Sequence, residues 1–243
     1  MLHTFDAVIA VSERDIVTFK KEYGITQSHA IPTGVDLDFF SYEPPSAITP
    51  AQPPTVIFTG SMDWAANIDG IKFFLTNVWP KIILALPDAR VLIVGRNPPS
   101  NLQALGNTLK NVEFTGFVDD IRRYVYSAHA FVIPLLVGGG TRIKAFEAMA
   151  MGCPVVSTSI GIEGLDVQED IHFMQRDDSL SMAAAIVDLL NDEGLRHRLS
   201  LNARQLVEQQ FGHAVASAAF EQICIDTLSR CGWCRTNEEV GMS

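Results

Sequence analysis

Positive charge is scarce in this chain. Eighteen Lys and Arg stand against 28 Asp and Glu over 243 residues, a net charge of −10. That balance repels nucleic acid and anionic lipid alike, so no nucleic-acid partner is expected, and any anionic ligand must be held by local amides and a few cations. Cysteine is also sparse: four residues at this length do not make a secreted disulfide framework. Cys153, between a glycine and a proline ahead of an apolar run, reads as a small buried residue. Cys231 and Cys234 have redox or metal spacing but lack the second pair that a zinc site needs. They also precede a polar tail, where chain ends usually fray. No apolar run reaches the roughly 20 residues of a membrane-spanning helix, and the N-terminus lacks the basic start and cleavage site of a signal peptide. The expected location is cytoplasmic. No Ser-His-Asp arrangement, His-x-x-x-His pair or metal cluster stands out, and the six histidines fall in unrelated segments. No metal or tightly held cofactor is expected, and no internal repeat or low-complexity segment is seen.

What is present is a globular alternation. Apolar residues make up 47% of the chain, enough to bury a sizeable core. Residues 5–12 read as a buried strand, with Ser12 as N-cap of a helix over 13–22 and Asp15 in its first turn. From Glu43 to Pro54 five of twelve residues are proline, which favours an extended linker. Strands are then expected at 55–59, 90–95, 111–115, 130–134 and 154–158, separated by helices at about 67–86, 99–107, 119–128 and 141–151. Pro80 should kink or split the first of these helices. Helices at 178–192, 193–210 and 214–230 close the pattern. The strands are near-continuous apolar runs, as expected when helices cover both faces of a sheet. The fold class is α/β, a doubly wound parallel sheet with C-terminal helices. Ligands of such sheets bind outside the carboxyl ends of the strands, which directs attention to the loops beginning at Gly60, Gly95 and Gly116.

The fourth strand, 130–134, leads into Gly138-Gly139-Gly140-Thr141-Arg142-Ile143-Lys144-Ala145-Phe146-Glu147, then Gly152-Cys153-Pro154 and a returning strand. Glycines let backbone amides approach an anion closely, and a helix N-terminus adds partial positive charge. Lys144 and Glu147, three apart on that helix, share a face. The pair suits a nucleoside diphosphate, with the cation for phosphate and the carboxylate for ribose hydroxyls. A solvated helix pair is the plainer alternative, but the strand, loop, helix, Gly-x-Pro turn and strand occur in order.

This run resembles the donor-binding motif of the retaining glycosyltransferases with the GT-B fold, the large family-four group. Their paired-glutamate motif places its first glutamate eight residues before Glu147, where this chain has Gly139, so only the second, ribose-associated glutamate carries over. Similar loops with Thr-Arg-x-Lys occur in exopolysaccharide-type sugar transferases, which the chain also resembles at Phe58-Thr59-Gly60-Ser61-Met62-Asp63-Trp64. The resemblance implies a nucleotide-diphosphate sugar as co-substrate and retention through front-face attack assisted by the leaving phosphate, a route that needs no protein nucleophile. Many relatives carry an arginine after the glycine that matches Gly60 and a lysine several residues later; here Ser61 and Asn67 stand nearest those places. Arg142 and Lys144 are expected to supply the missing charge. Arg96 is a weaker backup that could be an ordinary surface residue, and Arg142 could be a solvated arginine at a helix start. In the family the position of Phe117 and Val118 lies against the nucleotide base; ordinary loop packing is the alternative. Trp64 could stack on a sugar or base, or pack its loop. The expected binding set is thus Gly60, Ser61, Arg96, Phe117, Val118, Gly139, Gly140, Thr141, Arg142, Lys144 and Glu147, the last three carrying the catalysis.

The same resemblance divides the chain into an acceptor-domain remnant and crossover at 1–42, a donor-binding domain at 43–212 and a C-terminal helix and tail at 213–243. Family members place a whole acceptor-binding domain before the segment seen here as 5–40, so Met1 reads as an internal start, a domain boundary or a truncated gene. The expected partners are a nucleotide-sugar donor, a glycan or lipid-linked acceptor, and a missing acceptor domain or partner chain, with self-association as another outcome. An apolar surface should then run over residues 5–40 and the 214–230 helix, with Ala214, Val215, Ala218, Ala219, Ile223 and Cys224 forming one broad face. The full-length enzyme could sit at the inner face of the membrane. The rival reading is a non-catalytic nucleotide-binding or partner subunit. A dinucleotide-dependent dehydrogenase is disfavoured, because the first strand is followed by Gly-Ser-Met-Asp-Trp and the glycines come three strands later.

Overall fold

The computed structural model describes residues 5–44, 53–138 and 142–230. It divides into two compact units: Val35–Gln209, and Met1–Gly34 with Gln210–Ser243.

The larger unit is built on one parallel sheet. Its strands are β3 (Thr55–Thr59), β4 (Arg90–Val94), β5 (Val112–Gly116), β6 (Ala130–Ile133), β7 (Val155–Ser157) and β8 (Met174–Gln175), while β1 (Val8–Ala10) and β2 (Ser28–Ala30) belong to the smaller unit. The sheet order is β5-β4-β3-β6-β7-β8 with every pairing parallel. Chain order reverses beside β3, and that switch point is where a crevice opens in sheets of this kind. β3, β6 and β7 are buried at every residue, which explains their unbroken apolar runs. Phe58, Phe74, Trp79, Phe131 and Phe146 are among the largest fully buried side chains. β8 was not anticipated: two residues are too short to show a period of two, and only pairing with β7 defines them.

Helices flank this sheet: α2 (Ala65–Phe73), α3 (Trp79–Ala85), α4 (Ser100–Asn107), α5 (Arg122–Tyr126), α6 (Ile143–Ala150), α7 (Ser179–Asn191) and α8 (Glu193–Leu206). The helix expected over about 67–86 is split, as expected from Pro80, by a π-helical turn at Phe74–Val78 between α2 and α3. Pro80 stands in the first turn of α3, where its missing N–H costs nothing. The helix expected at 119–128 shortens to α5, since the Asp120 carboxylate accepts the Arg122 backbone N–H at 2.9 Å and fixes the start there. Asp178 caps α7 through the Leu180 and Ser181 amides, and Asp192 caps α8 through Leu195. Residues 35–44 run in this unit, tied down where Arg204 donates to the Phe40 and Ala150 carbonyls and the Tyr126 hydroxyl to the Ser41 carbonyl.

In the smaller unit β1 and β2 form a parallel pair, with α1 (Glu13–Tyr23) between them in sequence and α9 (His213–Arg230) following later. Ser12 caps α1 by accepting from the Asp15 amide and donating to the Asp15 carboxylate, and Gly24 ends it at φ 67° in the left-handed conformation. The strand expected over 5–12 contracts to Val8–Ala10, the three positions that pair with β2. Neither α1 nor α9 has a buried residue. On α9, Ala214, Val215 and Ala218 are exposed, Ala219, Ile223 and Cys224 half-buried, and Phe220, Ile225 and Leu228 add further exposed apolar surface. Cys231 and Cys234 lie outside the described residues.

Candidate functional site: a cleft at the strand ends

Two glycines shape the floor. Gly60 follows β3 and Gly95 follows β4, and their backbones lie so close that a Cβ on Gly95 would overlap the Gly60 carbonyl. Gly60 N–H donates to the Val94 carbonyl at 2.9 Å and Met62 N–H to the Arg96 carbonyl at 3.0 Å, stitching the two loops together. A Cβ on Gly60 would stand 2.8 Å from Lys144 Nζ and 2.9 Å from Asn67 Nδ2, so side chains of other elements use that space.

Beside this floor opens a cleft of about 350 Å³, lined by Thr59, Gly60, Ser61, Val94, Gly95, Arg96, Phe117, Val118, Ile121, Lys144 and Glu147. Seven residues expected from the sequence (Gly60, Ser61, Arg96, Phe117, Val118, Lys144 and Glu147) therefore meet in one place. Gly139, Gly140 and Thr141 lie outside the described residues. Arg142 is not among the lining residues; its Nε donates to the Ile160 carbonyl at 3.3 Å, beyond β7.

α6 delivers the cation and the carboxylate together. Its apolar positions, Ala145, Phe146, Ala148 and Met149, are buried, which turns Lys144 and Glu147 toward the cleft. Lys144 Nζ donates to the Thr59 carbonyl at 2.9 Å and to Asn67 Oδ1 at 3.2 Å, and lies 4.5 Å from the centroid of the Phe58 ring. Asn67 in turn donates to the Ser61 carbonyl at 2.7 Å, which fixes the orientation of its amide. Burial, reinforced by Arg142, brings the Lys144 pKa down to about 8, with Glu147 opposing. Burial also pushes the Glu147 carboxyl upward, with Lys144 pulling it back. Sequence spacing could not disclose Asn67 as a partner of Lys144, because 77 residues separate them.

The loop after β3 carries a second polar cluster. Asp63 accepts from Ser61 Oγ at 2.7 Å, from Arg96 Nε at 2.9 Å and from Asn97 Nδ2 at 2.9 Å. These bonds, Asn97 foremost, then Ser61, with Arg96 adding its charge, hold the Asp63 carboxyl below the usual range. Asn97 makes its contact from a left-handed backbone conformation at φ 57°, which asparagine tolerates better than most residues. Phe117, which lines the cleft, and Trp64, on the loop after β3, are exposed, 71% and 70% respectively, so neither ring packs its own loop.

A parallel sheet with a cleft at this switch point fits many nucleotide-binding proteins, and the sequence match decides among them. The family model for glycosyl transferases group 1 matches residues 53–192, more than half of the chain. The chain belongs to the group 1 glycosyl transferases. A phosphatidyl-myo-inositol mannosyltransferase of Mycobacterium leprae is 31% identical over 192 residues, covering 77% of this chain and 50% of its own. The glycosyl transferase chain thus spans about half the length of the curated relatives it matches. Among solved structures, the Anabaena protein HepE in complex with UDP superposes with a TM-score of 0.75 at 18% identity, over 91% of this chain and 64% of its own. The C-terminal domain of a glycosyl transferase group 1 family protein from Francisella tularensis matches with a TM-score of 0.58 at 20% identity. It covers 74% of this chain and all of its own. The fold is therefore the GT-B C-terminal domain, a six-stranded parallel sheet with C-terminal helices.

Proposed function

We propose that the cleft binds a nucleotide-diphosphate sugar and that the chain is the donor half of a retaining sugar transferase acting on a glycan or lipid-linked acceptor. The observation that carries this reading is the convergence of Lys144 and Glu147, from one face of α6, with the loops after β3, β4 and β5 in one cleft. Glu147 bonds the ribose hydroxyls. Phe117 and Val118 lie against the base. Lys144 and Arg142, with the amides of Gly139, Gly140 and Thr141, stabilise the diphosphate as it leaves, so catalysis here is mainly positioning and charge stabilisation. The phosphoinositide mannosyltransferase relatives support a lipid-linked acceptor, and the UDP complex of HepE supports a nucleoside diphosphate on this fold.

Transfer is assigned to a complete crevice, of which these residues supply one wall. The exposed Phe117 ring of the cleft and the exposed Trp64 on the loop after β3 support that division, since large rings left in water gain by being covered. The facing wall is assigned to an acceptor-binding domain or a partner chain. Calorimetry with UDP and GDP tests the reading. The chain should bind one of them, and Glu147→Ala should weaken binding by about 1.5–3 kcal/mol through loss of charge-assisted hydrogen bonds. A folded Glu147→Ala protein with unchanged nucleotide affinity would falsify the assignment.

A further inference from the structure

Among the described residues two cations line the cleft, and they are differently occupied. Lys144 already spends its ammonium on the Thr59 carbonyl and Asn67. Among the described residues Arg96 is bonded through Nε alone, at 2.9 Å to Asp63 and 3.3 Å to Ser61, and its side chain is 60% exposed. A guanidinium held at Nε keeps its two terminal nitrogens as a planar fork, the geometry that pairs two phosphate oxygens at once.

From this we infer that Asp63 is a positioning residue that holds Arg96 as a diphosphate-binding arm of the cleft. The inference rests on the nucleotide-sugar reading above and names a group within it. An isolated exposed ion pair contributes little, but this carboxylate is not isolated. It collects Ser61, Arg96 and Asn97, and a backbone bond from Met62 to the Arg96 carbonyl locks the two loops around it. Since Asp63 takes Nε and leaves the terminal fork, it sets the direction of the guanidinium without occupying the edge an anion needs. Ordering the arm in advance removes side-chain entropy that binding would otherwise cost. The arrangement also places a cation on the β4 loop, tied by Ser61 to the loop after β3, which has no cation of its own between Gly60 and Asn67.

The experiment titrates the wild type, Arg96→Ala, Arg96→Lys and Asp63→Asn with UDP, GDP, uridine and guanosine, and with inorganic pyrophosphate as competitor. Thermal melts confirm that each variant is folded. Arg96→Ala should weaken the diphosphate about ten-fold or more and the nucleoside less than about two-fold, and pyrophosphate should lose its ability to compete. Arg96→Lys should fall between, because it keeps charge without the fork. Asp63→Asn should lose part of the same diphosphate affinity, and adding it to Arg96→Ala should cost nothing more. Equal losses for diphosphate and nucleoside would reduce the cluster to a structural role. Tighter diphosphate binding by Asp63→Asn would mean that Asp63 competes for Arg96, which overturns the inference. Unchanged binding by Arg96→Ala overturns it while leaving the nucleotide site standing; a wild type that binds no nucleotide overturns both.

Discussion

Lys144 Nζ donates to the backbone carbonyl of Thr59 at 2.9 Å, so the cation of α6 is fastened to the last residue of β3. This single bond joins the helix that follows β6 to the mouth of its neighbour β3. It also makes the charge at the floor of the cleft dependent on a buried ammonium whose pKa is brought down to about 8.

That pKa gives nucleotide binding a pH dependence. If the cleft binds a diphosphate as proposed, Lys144 attracts it while charged, below about pH 8; above that the free protein loses the proton, so affinity should fall as pH rises. An anion bound beside the amine raises its pKa, and the loss should approach ten-fold per pH unit until the pKa of the bound state is reached. Titrations of UDP or GDP from pH 6.5 to 9.5 measure the slope. Nucleosides should show none of it, and Lys144→Ala should flatten it.

Arg142 supplies an internal comparison. If its guanidinium, which bonds the Ile160 carbonyl, also serves the diphosphate, Arg142→Ala should weaken UDP or GDP far more than the matching nucleoside. Equal losses for both would place its effect in holding the β7 loop against α6.

Gly95→Ala tests the floor. The new methyl would overlap the Gly60 carbonyl, so one loop must move. Overpacking of this kind costs about 1–3 kcal/mol. Urea denaturation should show that loss, and nucleotide affinity should fall as well, because the displaced loop carries Arg96. A variant with wild-type stability and affinity would show that the loops part freely.

Much of this was legible in the sequence, for identifiable reasons. β3, β6 and β7 announced themselves because burial on both faces demands unbroken apolar runs. Lys144 and Glu147 could be paired because helical spacing is local. The partners that hold the cations could not: Asn67 and Thr59 are brought to Lys144, and Asp63 to Arg96, only by the parallel order of the strands. The split of the 67–86 helix followed from Pro80, whereas the start of α5 slipped, because the bond from the Arg122 amide to Asp120 carries no periodicity.

His129 should contribute to acid sensitivity. Its Nδ1 accepts the Thr55 backbone N–H at 3.1 Å, and burial, with Arg196 and Arg90, lowers its pKa to about 4. The unfolded chain takes up this proton near pH 6.5, whereas the folded protein resists until about pH 4. Between those values the unfolded state binds more protons, so stability falls as pH falls. Denaturation midpoints measured from pH 7 to 4 should decline, and less steeply in a folded His129→Gln variant. Equal slopes would locate the acid sensitivity in other groups.

Sugar transfer is the last test, because it addresses the division of labour between the two walls of the crevice. Alignment of acceptor with donor would supply a large part of catalysis in the proposed transfer, and Phe117 in the cleft and Trp64 on the loop after β3 are left exposed. The purified chain should therefore bind a nucleotide sugar yet turn it over slowly, and addition of the acceptor-binding half of a relative should raise the rate. The assay pairs UDP- and GDP-sugars with lipid and glycan acceptors and records product per chain together with the oligomeric state. Robust multiple turnover by a monomer would mean that a complete acceptor site lies within these 243 residues. Turnover confined to a self-associated form would instead assign the second wall to another copy of the chain.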